Sequence, residues 1–154
     1  QLLAEVAAGL DGATLELDLE PLQRQVQPVA LGRAVRNLID NALEHGAAPL
    51  RLELRASGAD ASGFRITLWD CGPGISAEHW PQALMPFQRL DRARSGSGHC
   101  GLGLAIAARV AAGHGGGLAC RQGEEGFAVV LRGRSLSVAS GHSCVGSGSL
   151  TTPA

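Results

Sequence analysis

Asp70-Cys71-Gly72-Pro73-Gly74 and Gly101-Leu102-Gly103-Leu104 stand on either side of a stretch rich in proline and serine. These two glycine clusters restrict the chain more than any other feature. Glycine removes the Cβ clash, so the backbone is free to turn sharply or to lie flat against a ligand. The first cluster is led by a carboxylate, and the second opens a helical pattern whose free N–H groups and dipole favour an anion. They read as two walls of a pocket suited to a nucleotide, and the segment between them reads as a lid.

The flanking sequence supplies a scaffold for such walls. Residues 2–8 carry Leu2, Leu3, Val6 and Ala7 at helical spacing, and Thr14 to Glu20 alternates like a strand with one buried face. From Pro28 to His45 the apolar positions Leu31, Val35, Leu38 and Ala42 stack on one helical face, with Pro28 in the first turn and Gly46 just past the last. Asn37 and Asn41 lie one turn apart beside that seam, although asparagine costs roughly half a kcal/mol against alanine in mid-helix. Leu50 to Arg55 and Phe64 to Trp69 alternate as a hairpin with Phe64, Ile66 and Leu68 on one face, and the second strand delivers Asp70.

Beyond Ser76 breakers dominate, which predicts one short helical turn near Glu78 to Leu84 and then a loop to Cys100. A further helix is expected from Gly101 to about Ala112, with Leu102, Ala105, Ile106 and Val110 inward. Leu118 to Arg121 and Phe127 to Arg132 form a last hairpin. The pattern predicts one domain over residues 1–134 and a disordered tail over 135–154, which is small, polar and aperiodic.

Composition narrows the possibilities. At 154 residues and 45% hydrophobic positions the chain has room for one full core. All thirteen basic residues are scattered arginines and the formal charge is -1, which gives no nucleic-acid footprint. Cys71, Cys100, Cys120 and Cys144 show neither C-x-x-C nor zinc spacing, a pattern of reduced thiols in a cytosolic setting rather than disulfides. No apolar run approaches a membrane span, so direct membrane contact is not expected. The opening Gln1-Leu2-Leu3 begins in mid-pattern and reads as a fragment.

Each motif taken singly has an ordinary reading beside the chemical one. Asp-x-Gly is commonly a turn carboxylate; as a binding residue Asp70 would accept from an exocyclic amine. Asn41 is either a surface asparagine or an oxygen ligand for Mg²⁺, which takes one or two protein oxygens and the rest from phosphates and water. Phe87 and Arg89 are a satellite-core aromatic and a solvated charge, or an anchor and a cation of the lid. His114, before three glycines, reads as a helix-terminus residue.

Taken in order, Asn37-Leu38-Ile39-Asp40-Asn41-Ala42-Leu43-Glu44-His45-Gly46, Asp70-Cys71-Gly72-Pro73-Gly74-Ile75, Pro86-Phe87, Gly101-Leu102-Gly103-Leu104-Ala105-Ile106 and His114-Gly115-Gly116 resemble the catalytic ATP-binding domain of bacterial sensor histidine kinases. The matches correspond to that family's N box, first glycine box, F box and second glycine box. The resemblance implies an α+β fold, a two-layer α/β sandwich whose mixed, mostly antiparallel sheet is covered on one face by helices, with an ATP lid. It implies that Asn41 holds Mg²⁺, that Asn37 lines the phosphates, and that Asp70 takes the adenine amino group. Gly72, Gly74 and Ile75 would shape the adenine wall; Gly101, Leu102, Gly103 and Leu104 would approach the phosphates. His45 would border the nucleotide, and Phe87 and Arg89 would belong to the lid, Arg89 with Asn37 on the catalytic side.

Three departures from the family accompany the match. Glu44 stands where a basic residue is common, His99 and Cys100 replace a small pair, and no phosphoacceptor helix occurs. If the position of His99 needs a left-handed backbone, histidine there costs about 1 kcal/mol or more. In related ATP-hydrolysing enzymes a glutamate one turn before the magnesium asparagine activates water. Asn37 occupies that place, and its neutral amide takes no proton near pH 7. The expected function is therefore γ-phosphoryl transfer to a histidine on a separate dimerisation domain, serving a response regulator in the cytoplasm. The alternatives are a nucleotide-binding regulatory module without transfer and a serine kinase of the anti-sigma type.

Overall fold

The alternating segments pair into a single five-stranded sheet in the computed structural model, which describes residues 1–10, 14–87 and 101–136. The elements are α1 (Leu2–Ala7), β1 (Leu15–Leu19), α2 (Pro28–His45), β2 (Leu50–Ser57), β3 (Gly63–Asp70), α3 (Trp80–Ala83), α4 (Gly103–Gly113), β4 (Gly117–Gly123) and β5 (Gly126–Arg134). Strand order is β1-β2-β3-β5-β4. β1 runs parallel to β2, with α2 as the crossover, and the other three pairings are antiparallel. The helices cover one face, giving a mixed, mostly antiparallel two-layer sandwich.

The core lies between that face and the helices. Leu52, Ile66, Leu68, Val129 and Leu131 on the strands meet Leu31, Val35, Leu38, Ala107 and Ala111 on α2 and α4. α2 follows its apolar spacing from Pro28 to His45, and Leu2 and Val6 of α1 rest 3.5 Å from the place a Cβ would occupy at Gly32.

α4 is rotated from the expected orientation. Its buried residues are Leu104, Ala107 and Ala111, while Leu102, Ala105, Ile106 and Val110 are only half-buried. The helix is apolar nearly all round, so spacing alone did not fix its inner side; the small alanines let it approach α2 closely. The outer sheet face also departs from simple alternation, because Thr67 and Trp69 are buried there along with the inward residues of β3. The Arg51 and Arg121 guanidinium groups lie 5.5 Å and 4.4 Å from the Trp69 ring centroid and shield it from water.

α2 and α4 run antiparallel and are pinned at one end by His114, which caps α4 and is 2% exposed. Its Nδ1 donates to the Val110 carbonyl at 2.8 Å, and its Nε2 accepts from the Gln27 N–H at 3.1 Å. That pair of partners corresponds to the neutral tautomer with hydrogen on Nδ1. The ring also meets Phe64 edge-on at 5.9 Å. His114 thus has a structural place at a helix terminus. His114→Ala should cost about 1–3 kcal/mol, since it strands the Gln27 N–H as well as opening a cavity; an unchanged denaturation midpoint would contradict this pinning role.

Ser135 and Leu136, expected to open the tail, donate from their backbone N–H groups to the Ser62 and Gln25 carbonyls at 3.2 Å and 2.8 Å. The remaining tail, from residue 137, lies outside the described residues.

Candidate functional site

β3 ends by placing Asp70 in a corner walled by glycine. Asp70 is 6% exposed, and its Oδ1 accepts from the Gly72 N–H at 2.7 Å. A Cβ at Gly46 would lie 2.6 Å from both Cγ and Oδ1 of Asp70, and one at Gly72 would lie 2.8 Å from the same oxygen. The two glycines therefore leave the carboxyl just enough room. Behind it, Cys71 N–H donates to the Ala47 carbonyl at 2.8 Å, tying the end of β3 to the segment after α2.

Burial pushes the Asp70 carboxyl up from its ordinary value, against the pull of backbone hydrogen bonds from Gly72 and Ala47. Its ionised form is thus under-solvated and accepts strongly from any donor that reaches it. The glycine turn next to it is fixed by shape: Gly74 has φ +71°, and a Cβ there would fall 2.3 Å from Cδ2 of Phe127. Ile75 follows, half-buried against the core.

The second corner lies where α4 begins. Leu102 is its N-cap and supplies no side-chain hydrogen bond, so the first N–H groups of the helix lack a side-chain acceptor. Gly101 takes φ +65°, and a Cβ at Gly103 would sit 3.6 Å from Cβ of Asn37. The Asn37 Nδ2 is buried with no hydrogen-bond partner. An orphaned donor beside an uncapped helix N-terminus suits an anion, because both lack the same thing.

α2 connects the corners. Gly46 at its end touches Asp70, Asn37 touches Gly103, and half-buried Asn41 stands between them. His45 is exposed, with Nε2 3.9 Å from the Glu44 carboxylate. Among the described residues no cluster of three or more His, Cys, Asp or Glu side chains is arranged to hold a metal. A hard cation would depend on the Asn41 amide oxygen and on ligand phosphates, a donor set that fits Mg²⁺.

The structure brings Asn37, Asn41, Asp70, Gly72, Gly74, Gly101 and Gly103 to the ends and flank of one helix. Leu102 and Leu104 serve as the N-cap and first buried residue of α4. Phe87 is set apart: it is 71% exposed with φ +63°, which excludes the satellite-core reading. Arg89, His99 and Cys100 lie outside the described residues.

Two site features escaped the sequence reading. Gly46, read there as a helix terminator, has extended backbone at φ -92° and ψ -152° rather than a left-handed cap, and its lack of a side chain serves Asp70. Local sequence marks Phe127 only as a strand residue, yet it forms the back of the Gly74 turn. The register Asp70↔Phe127 is tertiary information that no local pattern carries.

Residues 26–136 match the family described as histidine kinase-, DNA gyrase B-, and HSP90-like ATPase. The chain is 32% identical over 125 residues to the signal transduction histidine-protein kinase AfsQ2 of Streptomyces coelicolor, covering 81% of this chain and 23% of that protein. It is 39% identical over 106 residues to the histidine-protein kinase/phosphatase MprB of Mycolicibacterium smegmatis, covering 68% of this chain and 21% of that one. Among solved structures, a mycobacterial sensor histidine kinase MprB superposes with a TM-score of 0.65 at 30% identity, over 88% of this chain and 93% of the other. The chain spans less than a quarter of the length of these curated relatives.

Proposed function

Because the chain belongs to the histidine kinase-, DNA gyrase B- and HSP90-like ATPase family, we propose that it binds Mg-ATP and delivers the γ-phosphoryl group to a histidine on a separate phosphoacceptor and dimerisation domain, upstream of a response regulator. The observation that carries the reading is Asn37. It puts a neutral amide with an orphaned Nδ2 against the N-terminus of α4, where a carboxylate would be needed to activate water.

In this reading the Asp70 carboxylate accepts from the adenine amino group, and the turn through Gly72 and Gly74 lies along the purine. The N–H groups opening α4 and the Asn37 amide donate to phosphate oxygens, fixing their direction relative to the helix axis. Asn41 offers its amide oxygen to Mg²⁺, which when bound neutralises charge on the phosphates. With an amide instead of a carboxylate at position 37, the attacking group is the neutral imidazole of the incoming histidine. Arg89 and Phe87 are assigned to the lid over the phosphates, and His45 to the pocket rim.

Incubation with Mg-ATP and a supplied phosphoacceptor domain tests this. An acid-labile label should appear on that domain and none on His45, His79, His99, His114 or His142 of the chain itself. Nucleotide binding without transfer would leave a regulatory module in place of a kinase. Asn41→Ala should abolish magnesium-dependent transfer while Asn41→Asp, which keeps an oxygen ligand, retains part of it. Equal transfer by wild type and Asn41→Ala would remove Asn41 from the metal site.

A further inference from the structure

On the sheet face away from the helices, Arg55, Arg65 and Arg132 stand directly opposite one another on β2, β3 and β5. Their neighbours Leu54, Ile66 and Leu131 form the matching row toward the core, which fixes the arginines on the open side. Adjacent strands lie about 4.8 Å apart, and like charges directly opposite weaken a sheet. Arg55 is paired with Asp18. Among the described residues no carboxylate lies within ion-pair distance of Arg65 or Arg132.

At its β5 end the row reaches a cleft, which Arg132 lines. Gly117 faces Arg132 on β4 and offers no side chain, and the cleft, of about 470 Å³, runs from Arg132 and Arg134 to Ser57 and Ser62. Asp60 at its rim is already engaged by the Ser62 N–H and hydroxyl. Residues 137–154 contain neither Asp nor Glu, so that segment has no side-chain carboxylate with which to neutralise the row.

We propose that this row is a docking site for a short acidic segment of another protein, held by paired arginine–carboxylate hydrogen bonds. Guanidinium groups present planar forks that match a carboxylate, which a lysine ammonium does not. Asp18 and Glu53 flank the row on the same face, and Asp60 borders the cleft. Their charges oppose a continuous anionic surface such as a lipid headgroup layer but tolerate a discrete segment laid between them. The row is on the opposite side of the sheet from α2 and α4, so docking leaves the nucleotide corners open. Uncompensated like charges that weaken the fold are also what a site kept for an absent anion would show.

Calorimetric titration of the full chain with a synthetic poly-glutamate peptide, at low and at physiological salt, tests the proposal. Wild type should bind, more weakly as salt rises. Arg65→Gln with Arg132→Gln should lower the affinity at least about tenfold. Arg33→Gln with Arg109→Gln, the same change in charge at exposed positions of α2 and α4, should leave it unaltered, and ATP affinity should be the same in all forms. Vesicles containing phosphatidylserine should not bind. Arg65→Gln should also raise the thermal midpoint by relieving repulsion from Arg55 and Arg132. No peptide binding, equal affinity in the double variant, vesicle binding in its place, or a lowered midpoint would each overturn the assignment.

Discussion

Asp70→Asn should lose ATP recognition by about ten- to a hundredfold while leaving the nucleotide-free fold at least as stable as wild type. The loss follows from exchanging a charged acceptor for an amide that can present a donor, worth roughly 1.5–3 kcal/mol in the bound state. The retained stability follows from burial. Desolvation holds the Asp70 carboxyl above its ordinary value of 3.8, so the folded chain binds the proton more tightly than the unfolded one. Stability from that group is fully present below the unfolded value and is lost as pH rises through the raised folded one. At neutral pH the ionised carboxylate is therefore a cost to the empty fold, which the asparagine escapes while still accepting from the Gly72 N–H. Binding runs the other way, since the ionised form accepts more strongly from the adenine amino group than the protonated one: affinity should rise with pH across the interval in which apo stability falls. Calorimetry with ATP, beside thermal melts of the empty protein over the same pH series, checks both slopes. Wild-type affinity in the variant would take Asp70 out of the site; a large drop in apo stability would mean that its charge serves the fold.

Gly46→Ala should damage the fold and the pocket together. The added Cβ would meet Asp70 Cγ and Oδ1 at 2.6 Å and the Ala42 carbonyl oxygen at 2.7 Å. The last is helix backbone and cannot swing aside. Overpacking of that kind typically costs about 1–3 kcal/mol, and relief by displacing the Asp70 carboxyl removes the adenine acceptor as well. ATP affinity and denaturation midpoint should fall together. Gly113→Ala is the control, because a Cβ there has nothing within 4 Å. Adding Asp70→Ala should recover part of the stability loss and none of the binding. A Gly46→Ala protein with wild-type affinity would show that the corner is looser than its distances imply.

Much of this architecture was legible because strong local signals agreed. α2 has four apolar residues at consistent spacing, a proline at its start and a glycine beyond its end, and its observed bounds are the expected ones. The hairpin of β2 and β3 alternates for long enough to exclude a helix. α4 was legible as a helix but not in rotation: with apolar residues on every side, spacing alone cannot choose the side of Leu104, Ala107 and Ala111 over that of Leu102 and Ile106. Trp69 reads as an outward residue on a half-solvated sheet, and its burial depends on arginines from two other strands. The order of the glycine boxes was visible in the chain, whereas the contact between Gly46 and Asp70 is not. That contact joins two residues whose proximity exists only after β3 has paired beside the end of α2.

The antiparallel match of α2 and α4 divides a single helix between two duties. From Gln27 to Asn37, about 15 Å of α2 lies alongside α4, bounded at one end by the His114 hydrogen bond and at the other by Gly103. The last two turns, carrying Asn41, Glu44 and His45, overhang that paired stretch. Substitutions in the first portion are therefore registered by the partner helix as misfit; in the overhang Leu38, Ile39 and Ala42 still face the core, whereas changes at Asn41, Glu44 and His45 are registered by whatever occupies the pocket. An engineer wishing to alter ligand preference without re-fitting the protein interior would work on the outer side of the overhanging turns, at Asn41, Glu44 and His45, where the scaffold ends and the instrument begins.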